Sequence, residues 1–308
     1  MKKTLLFLLL AIAAGMTALW LSFTAAILPL GKPPNFSLSE NNSPQGMTLM
    51  AISAGKMFSK AGLAYRGGDF NKEIVMPMGG ILIQHPKGNL LIDAGFASNI
   101  DEHFATTPAL MQRTSTYEAG TPIVQQLPRA GLSPKDLFAV ILTHTHWDHV
   151  SGLADLPDVP VWVTQEELDF VNTESELTKL ARIIGVKNYK AITFSENDYL
   201  GFTKSYDIFN DQSVVIVPGA GHTPGALIVF VTLPNDDRYA FIGDLAWQKE
   251  GIDLPAEKPW LPRVLVEEDT EAVQALLVKM HHIQNQIPNM KVVPSHDQKA
   301  WTSLPTFR

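Results

Sequence analysis

The chain has 308 residues, 45% of them apolar, so it is long enough to bury a large core. Its 24 basic and 31 acidic residues leave a formal charge of −7 with no long Lys/Arg run, which argues against a nucleic-acid partner. It has no cysteine, which excludes disulfides, a thiolate nucleophile and Cys-based zinc sites, so any metal must be held by His, Asp or Glu.

Lys2 and Lys3 precede an uncharged stretch from Thr4 to Leu28. As a helix it would run roughly 37 Å, against a hydrocarbon core of about 30 Å. Two readings stay open for residues 1–30: an uncleaved signal anchor, or a signal peptide with Ala11-Ile12-Ala13 as its cleavage site. Either way the leading lysines place the N-terminus inside and the body of the chain outside the cytoplasm, membrane-anchored, periplasmic or secreted. Residues 31–46, rich in Pro, Asn and Ser, are read as a linker, and residues 47–308, without composition break or repeat, as one domain.

Within that domain "MTLMAISAG", "EIVMPMGGILIQH" and "GNLLIDAG" are short apolar runs punctuated by turn residues, which predicts hairpin-linked strands. In "SPKDLFAVILTH", Ser133 and Pro134 start a helical turn before the buried-strand run Phe138 to Leu142. "VWVTQEELDFV" predicts a strand and then a helix capped by Thr164, with Glu167 completing a capping box. "SVVIVPGAGHTPG", "ALIVFVTL" and "RYAFIGD" give three more strands. A helix from about Asp269 presents Val273, Leu276, Met280, Ile283 and Ile287 on one stripe, and "MKVVPSH" closes the series as a strand.

Polar clusters recur at the C-terminal ends of these strands. His144, His146, Asp148 and His149 follow one, His222 a second, Asp244 a third and His296 a fourth. Neighbouring strands lie about 5 Å apart, so side chains leaving one sheet edge can meet around an ion. In extended chain His144 and His146 share a face, and a turn into a helix beginning near Val150 would aim Asp148 and His149 at a second ion. Five imidazoles and two carboxylates suit two divalent, zinc-like ions with an open position between them. Asp244 placed between the ions could bridge them.

The strings "HTHWDH", "GHTPG", "GD" and "PSHD", in this order, resemble the metallo-β-lactamase superfamily from about Met47 to Trp301. That resemblance implies an α+β fold, a four-layer αβ/βα sandwich with a dinuclear site at one edge of two packed sheets. It implies that His144, His146 and His222 hold one metal, that Asp148, His149 and His296 hold the other, and that Asp244 bridges. Asp93 matches an early family aspartate that supports the ligand loops by hydrogen bonds without being a ligand. The implied activity is that of a dinuclear hydrolase using a metal-bridging hydroxide on an ester-like carbonyl, with Asp148 and Asp244 as catalytic carboxylates. His146, standing where the iron redox branch carries Glu, favours zinc-type hydrolysis.

"YEAGTPIVQQLPRAGLSPKDLFAVILTHTHWDHVSGL" and "VVPSHD" resemble acyl-homoserine lactonases, so a lactone is the first expected substrate. A glyoxalase II-like thioesterase, another small-molecule esterase, and a non-catalytic metal-stabilised binding module are the alternatives. One position departs from the lactonase pattern: Trp247 stands where similar lactonases carry a tyrosine, and an indole N–H is no comparable proton donor. Trp147 and Trp247 are the expected pocket aromatics. Residues 59–80, and the insertion 173–213 with Tyr189, Tyr199, Phe202, Tyr206 and Phe209, are candidate pocket walls, although aromatic packing explains the second equally well. Gly219 and Gly221 are expected to let backbone pass close to the metals, although a plain tight turn explains them nearly as well. His85, His103, His281 and His282 are read as surface residues, and Asp101 and Asp297 as structural. Oligomeric state is not readable.

Overall fold

The computed structural model describes residues 2–306. Among them β1 (Thr48–Lys60), β2 (Glu73–Gln84), β3 (Asn89–Ile92), β4 (Thr116–Ala119), β5 (Leu137–Ile141), β6 (Val161–Val163) and β7 (Tyr189–Ala191) form one sheet, ordered β4-β1-β2-β3-β5-β6-β7. A second sheet contains β8 (Tyr206–Asp207), β9 (Val214–Pro218), β10 (Leu227–Thr232), β11 (Arg238–Phe241) and β12 (Met290–Val293), ordered β12-β11-β10-β9-β8.

Strand alternation explains why these sheets stack and why both outer faces need helices. Ala139, Ile141, Ile216, Leu227, Val229, Tyr239 and Phe241 point into one core between the sheets. Their chain neighbours Val140 and Leu142 face a second core with Val150, Leu153 and Leu180. On the other side, Val217, Ile228, Phe230, Ala240 and Ile242 meet Val273, Leu277, Met280 and Ile283 in a third. Three apolar layers between four layers of structure give the expected αβ/βα sandwich. The helices used below are α1 (Lys2–Phe23), α2 (Ala109–Thr114), α3 (Trp147–Val150), α4 (Gln165–Val171), α5 (Trp260–Val266), α6 (Thr270–Gln286) and α7 (Gln298–Thr302). The α6 stripe forms as predicted, except that Leu277 is buried while Leu276 is only partly so.

Several expectations change. β1 and β2 pair from Thr48↔Gln84 to Lys60↔Glu73, so both ends of the supposed loop 59–80 are strand. Of the aromatics in 173–213, Tyr199 and Phe202 pack on Phe230 at 5.4 and 6.1 Å, and Phe209 stacks on His85 at 3.8 Å, so these three serve the cores. His85 and His103 are buried, not superficial. His103 Nδ1 lies 2.8 Å from Ser151 Oγ, and burial lowers the pKa of both rings. Neither has a local sequence signal, because the partners are distant in the chain. Asp297 caps α7 through Lys299 N and Ala300 N, and Asp101 accepts from Tyr117 Oη, a bond that pushes the Tyr117 pKa up to about 12.

α1 is long and apolar enough to cross a membrane and is not covered by the rest of the chain. The segment after it is bonded to the domain rather than loose. Arg66 donates to Leu21 O and Thr24 O, Gly67 N to Phe23 O, and Leu28 N to Pro255 O. Further along, His282 Nε2 donates to Leu30 O, Asn41 to Leu233 O and Ser43 to Thr232 O. Residues 31–46, read from composition as a linker, therefore run along the domain surface.

Candidate metal centre

Register brings the polar strand ends together. β3 and β5 run parallel with Ile92 opposite Ile141, and β11 and β12 run parallel with Phe241 opposite Val293. Asp244 and His296 each stand three residues beyond that second pair, so the two loops deliver them side by side: Asp244 Oδ1 lies 3.0 Å from His296 Nε2. After β5 the chain bends at Thr143 and reaches an extended His146 before it turns into α3. The helical turn begins at Trp147, earlier than expected, and contains Asp148 and His149. A bond from Leu227 N to Thr143 O, 2.8 Å, ties this loop to the second sheet.

Seven predicted residues converge as three overlapping groups with mutual donor distances within 4.8 Å: His144/His146/His222, His144/His149/Asp244 and Asp148/His149/His296. Their chemistry fits cations. His144 Nε2, His146 Nε2 and His222 Nδ1 are buried and make no hydrogen bond among the described residues, while Asp244 Oδ1 faces His296 Nε2 at 3.0 Å and His149 Nε2 at 3.3 Å. An unpaired buried polar atom costs about 1–3 kcal/mol, so three imidazole nitrogens in one place would be hard to sustain without a shared partner. His/Asp donors at this spacing suit zinc-like ions.

Electrostatics divides the centre in two. Burial, reinforced by neighbouring imidazoles, holds His144 and His222 well below the usual histidine range, and burial takes His146 down to about 4. These three rings are neutral and ready to donate lone pairs. Burial also opposes charge on His149 and His296, but Asp93, Asp244 and Asp148 outweigh it: His149 is raised well above its ordinary value and His296 to about 10. Asp148 and Asp244 resist the upward push of burial because His149 and His296 hold them low, so both are carboxylates.

Asp93, at a left-handed φ of 58°, accepts from Thr143 N at 2.7 Å and lies 2.8 Å from His149 Nδ1. It thereby fixes which ring nitrogen of His149 faces the centre. Glu167 corrects the sequence reading. Thr164 does cap α4, accepting from Glu167 N at 3.1 Å, but the Glu167 carboxylate does not close a capping box. It accepts from Thr145 N (2.7 Å), Thr145 Oγ1 (2.6 Å), Thr223 Oγ1 (2.6 Å) and Gly225 N (3.1 Å). One buried carboxylate thus pins the loop of His144 and His146 to the loop of His222. Burial raises its pKa despite those four donors.

Gly225 is required there, since a Cβ would fall 2.2 Å from Glu167 N. Gly221, expected to let backbone approach the metals, instead admits α6: a Cβ would sit 2.8 Å from Val273 Cγ2, at a φ of 141°. Lys258, invisible as a candidate in its Pro-rich context, is buried and donates to Asp244 O and to Glu267 Oε1, both at 2.7 Å. Trp247 donates Nε1–H to Asp244 Oδ2 at 2.9 Å, so its indole positions that carboxylate. Trp147 is largely core, packed on Phe96 and Phe104 at 5.5 and 5.6 Å.

Both tryptophans line a cavity of about 120 Å³ with His146, Asp148, His222, Asp244 and His296. Phe58, Met111, Leu177, Trp247 and Val266 also line an adjoining apolar channel of about 510 Å³. Residues 59–60 and 73 contribute to that channel's wall, whereas Tyr189, Tyr199, Phe202, Tyr206 and Phe209 line neither space.

Residues 81–303 match the family model of the metallo-beta-lactamase superfamily. The chain is similar to an N-acyl homoserine lactonase, AttM, of Azorhizobium caulinodans, 25% identical over 249 residues covering 78% of this chain and 88% of that one. Its backbone superposes with a TM-score of 0.67 and 19% identity on an N-acyl homoserine lactone hydrolase that holds N-hexanoyl-L-homoserine at its catalytic metal centre, covering 85% and 96% of the two chains. A dizinc quorum-quenching lactonase, AidC, aligns with a TM-score of 0.57, 16% identity, and coverage of 82% and 88%. With the family model spanning most of its length, the chain belongs to the metallo-beta-lactamase superfamily.

Proposed function

We propose that this chain is a metal-dependent hydrolase of an ester-like carbonyl, with an acyl-homoserine lactone-like compound as substrate and two zinc ions as cofactors. The observation that carries the reading is the convergence of three unpartnered buried imidazole nitrogens with the carboxylates of Asp148 and Asp244 beside a cavity that adjoins an apolar channel. His144, His146 and His222 would hold one ion, Asp148, His149 and His296 the other, with Asp244 between them. Divalent ions held by these residues would lower the pKa of a water toward neutrality and polarise a carbonyl oxygen.

The side chains do the rest. Ionised Asp148 lines the cavity and can take a proton from the attacking water, then return it to the alkoxide leaving a lactone ring. Trp247 steadies Asp244 in place of supplying a tyrosine-like acid. The apolar channel suits an acyl tail. α1 would anchor the catalytic domain outside the cytoplasm, in keeping with its two leading lysines.

The direct test is acid release from butanoyl- and dodecanoyl-homoserine lactone by the zinc-loaded full-length chain in lipid nanodiscs. Turnover abolished by chelator and restored by zinc is expected. Thioester or simple ester hydrolysis without lactone turnover would replace the substrate and keep the chemistry.

Metal loading should depend on pH in one half of the centre only. The neutral His144/His146/His222 set has no proton to lose near pH 7, whereas the second set must shed those held on His149 and His296. Raised pKa values favour the proton below them, so affinity for the second ion should climb with pH toward about 10, the His296 value. Each displaced proton contributes about tenfold per pH unit. Zinc content after dialysis at acidic and alkaline pH checks this: one equivalent should leave before the other on acidification, and parallel loss of both would contradict it.

A further inference from the structure

The apolar channel is walled by Leu261, Pro262, Leu265 and Val266 of α5 and by Leu110 of α2, with the exposed Lys60–Glu73 ion pair also at its wall. Trp260 is 48% exposed, Val264 52%, Leu265 46% and Leu110 54%, and only Pro262 is buried in α5. Arg263 is the one charged residue on that helix, and its guanidinium turns to Glu257. Glu257 also pairs with Arg66 at 3.3 Å, and Arg66 holds the last turn of α1 through Leu21 O and Thr24 O. The Arg66–Glu257–Arg263 chain therefore locks this apolar face beside the point where α1 leaves the domain, and α1 and α5 are in contact. Phe70, 46% exposed, packs edge-on against Phe23 at the same point.

α1 is the one helix among the described residues long and apolar enough to cross a bilayer. An apolar face fixed to the end of such a helix lies at the level of the lipid surface, where Trp20 and Trp260, both exposed, are the side-chain type that favours the interface. Exposed in water, a patch of this composition would be a liability. We propose that α5, with Leu110 and Phe70, is seated in the surface of the membrane that α1 crosses, so that the channel opens into lipid and receives a long-chain acyl substrate from the bilayer. The seating rests on α1 as the membrane anchor proposed above, and the substrate clause on the hydrolase reading.

The absence of cysteine makes the test direct, since a single substitution carries a single nitroxide label. In full-length protein in nanodiscs, Val264→Cys on α5 is compared with Phe138→Cys, which is exposed at the start of β5, the end of that strand remote from the metal centre. The label at position 264 is expected to collide with oxygen in preference to a water-soluble nickel chelate, and the label at 138 to do the reverse. Equal nickel access at both positions would overturn the seating.

Trp260→Glu combined with Val264→Glu then tests the route, because neither side chain lines the channel. At least a tenfold loss in kcat/KM for dodecanoyl-homoserine lactone is expected, with butanoyl-homoserine lactone unchanged. Equal losses on both would overturn lipid delivery. A wild-type protein that turns over neither lactone would remove the substrate clause with the reading it rests on, and the nitroxide result would still decide the seating.

Discussion

Asp148→Asn should lower kcat for lactone hydrolysis by about 10²- to 10⁴-fold, the range for removing a positioned proton carrier. Asp148 Oδ2 lies 3.3 Å from His296 Nε2 and 3.9 Å from His149 Nε2, and the residue lines the cavity. It therefore touches two imidazoles of the candidate centre and the space where a substrate would sit. The amide keeps one oxygen able to face a cation, but loses the charge that accepts a proton. Zinc content must be measured alongside rate. A large loss with two zinc ions retained identifies proton transfer, a large loss with one zinc ion missing identifies a ligand, and a change under tenfold would remove Asp148 from both roles.

Much of this centre was legible because metal ligation depends on residue identity at strand ends, and strand ends announce themselves by apolar runs. The His144 to His149 string, His222, Asp244 and His296 all follow such runs, and parallel register converts their chain offsets into proximity. What the string did not reveal is long-range partnership. Glu167 three residues after Thr164 is the pattern of a capping box, and nothing local distinguishes a carboxylate that folds back on its own helix from one that reaches Thr145, Thr223 and Gly225. Lys258 looks like a solvated loop lysine until Glu267 and Asp244 O are seen around it. The same holds for residues 31–46, whose composition suits a linker but whose Asn41 and Ser43 side chains donate to Leu233 O and Thr232 O. β4, β7 and β8 escaped because they are short and lack the alternating apolar signal.

Glu167→Ala separates the two possible duties of that residue by size of effect. As a helix cap component its loss would cost about 1 kcal/mol. As the hub observed here, its removal strands the backbone N–H groups of Thr145 and Gly225 and two hydroxyls in a buried site. Each orphaned donor carries a penalty of about 1–3 kcal/mol, and relaxation keeps the total near 3–5 kcal/mol. For a domain of this size that corresponds to a fall in Tm of roughly 10 °C. Glu167→Gln should rescue little, since its amide N–H₂ would meet donors rather than acceptors. The loss should also reach the chemistry. Thr145 lies between His144 and His146, and Thr223 follows His222, so unpinning them loosens the three neutral imidazoles together. Zinc affinity at that half of the centre should drop about 10- to 100-fold, as for other groups that orient ligands. Thermal melts and competitive zinc titration give the two numbers, and a variant that loses less than about 1 kcal/mol while keeping its zinc affinity would return Glu167 to a simple cap.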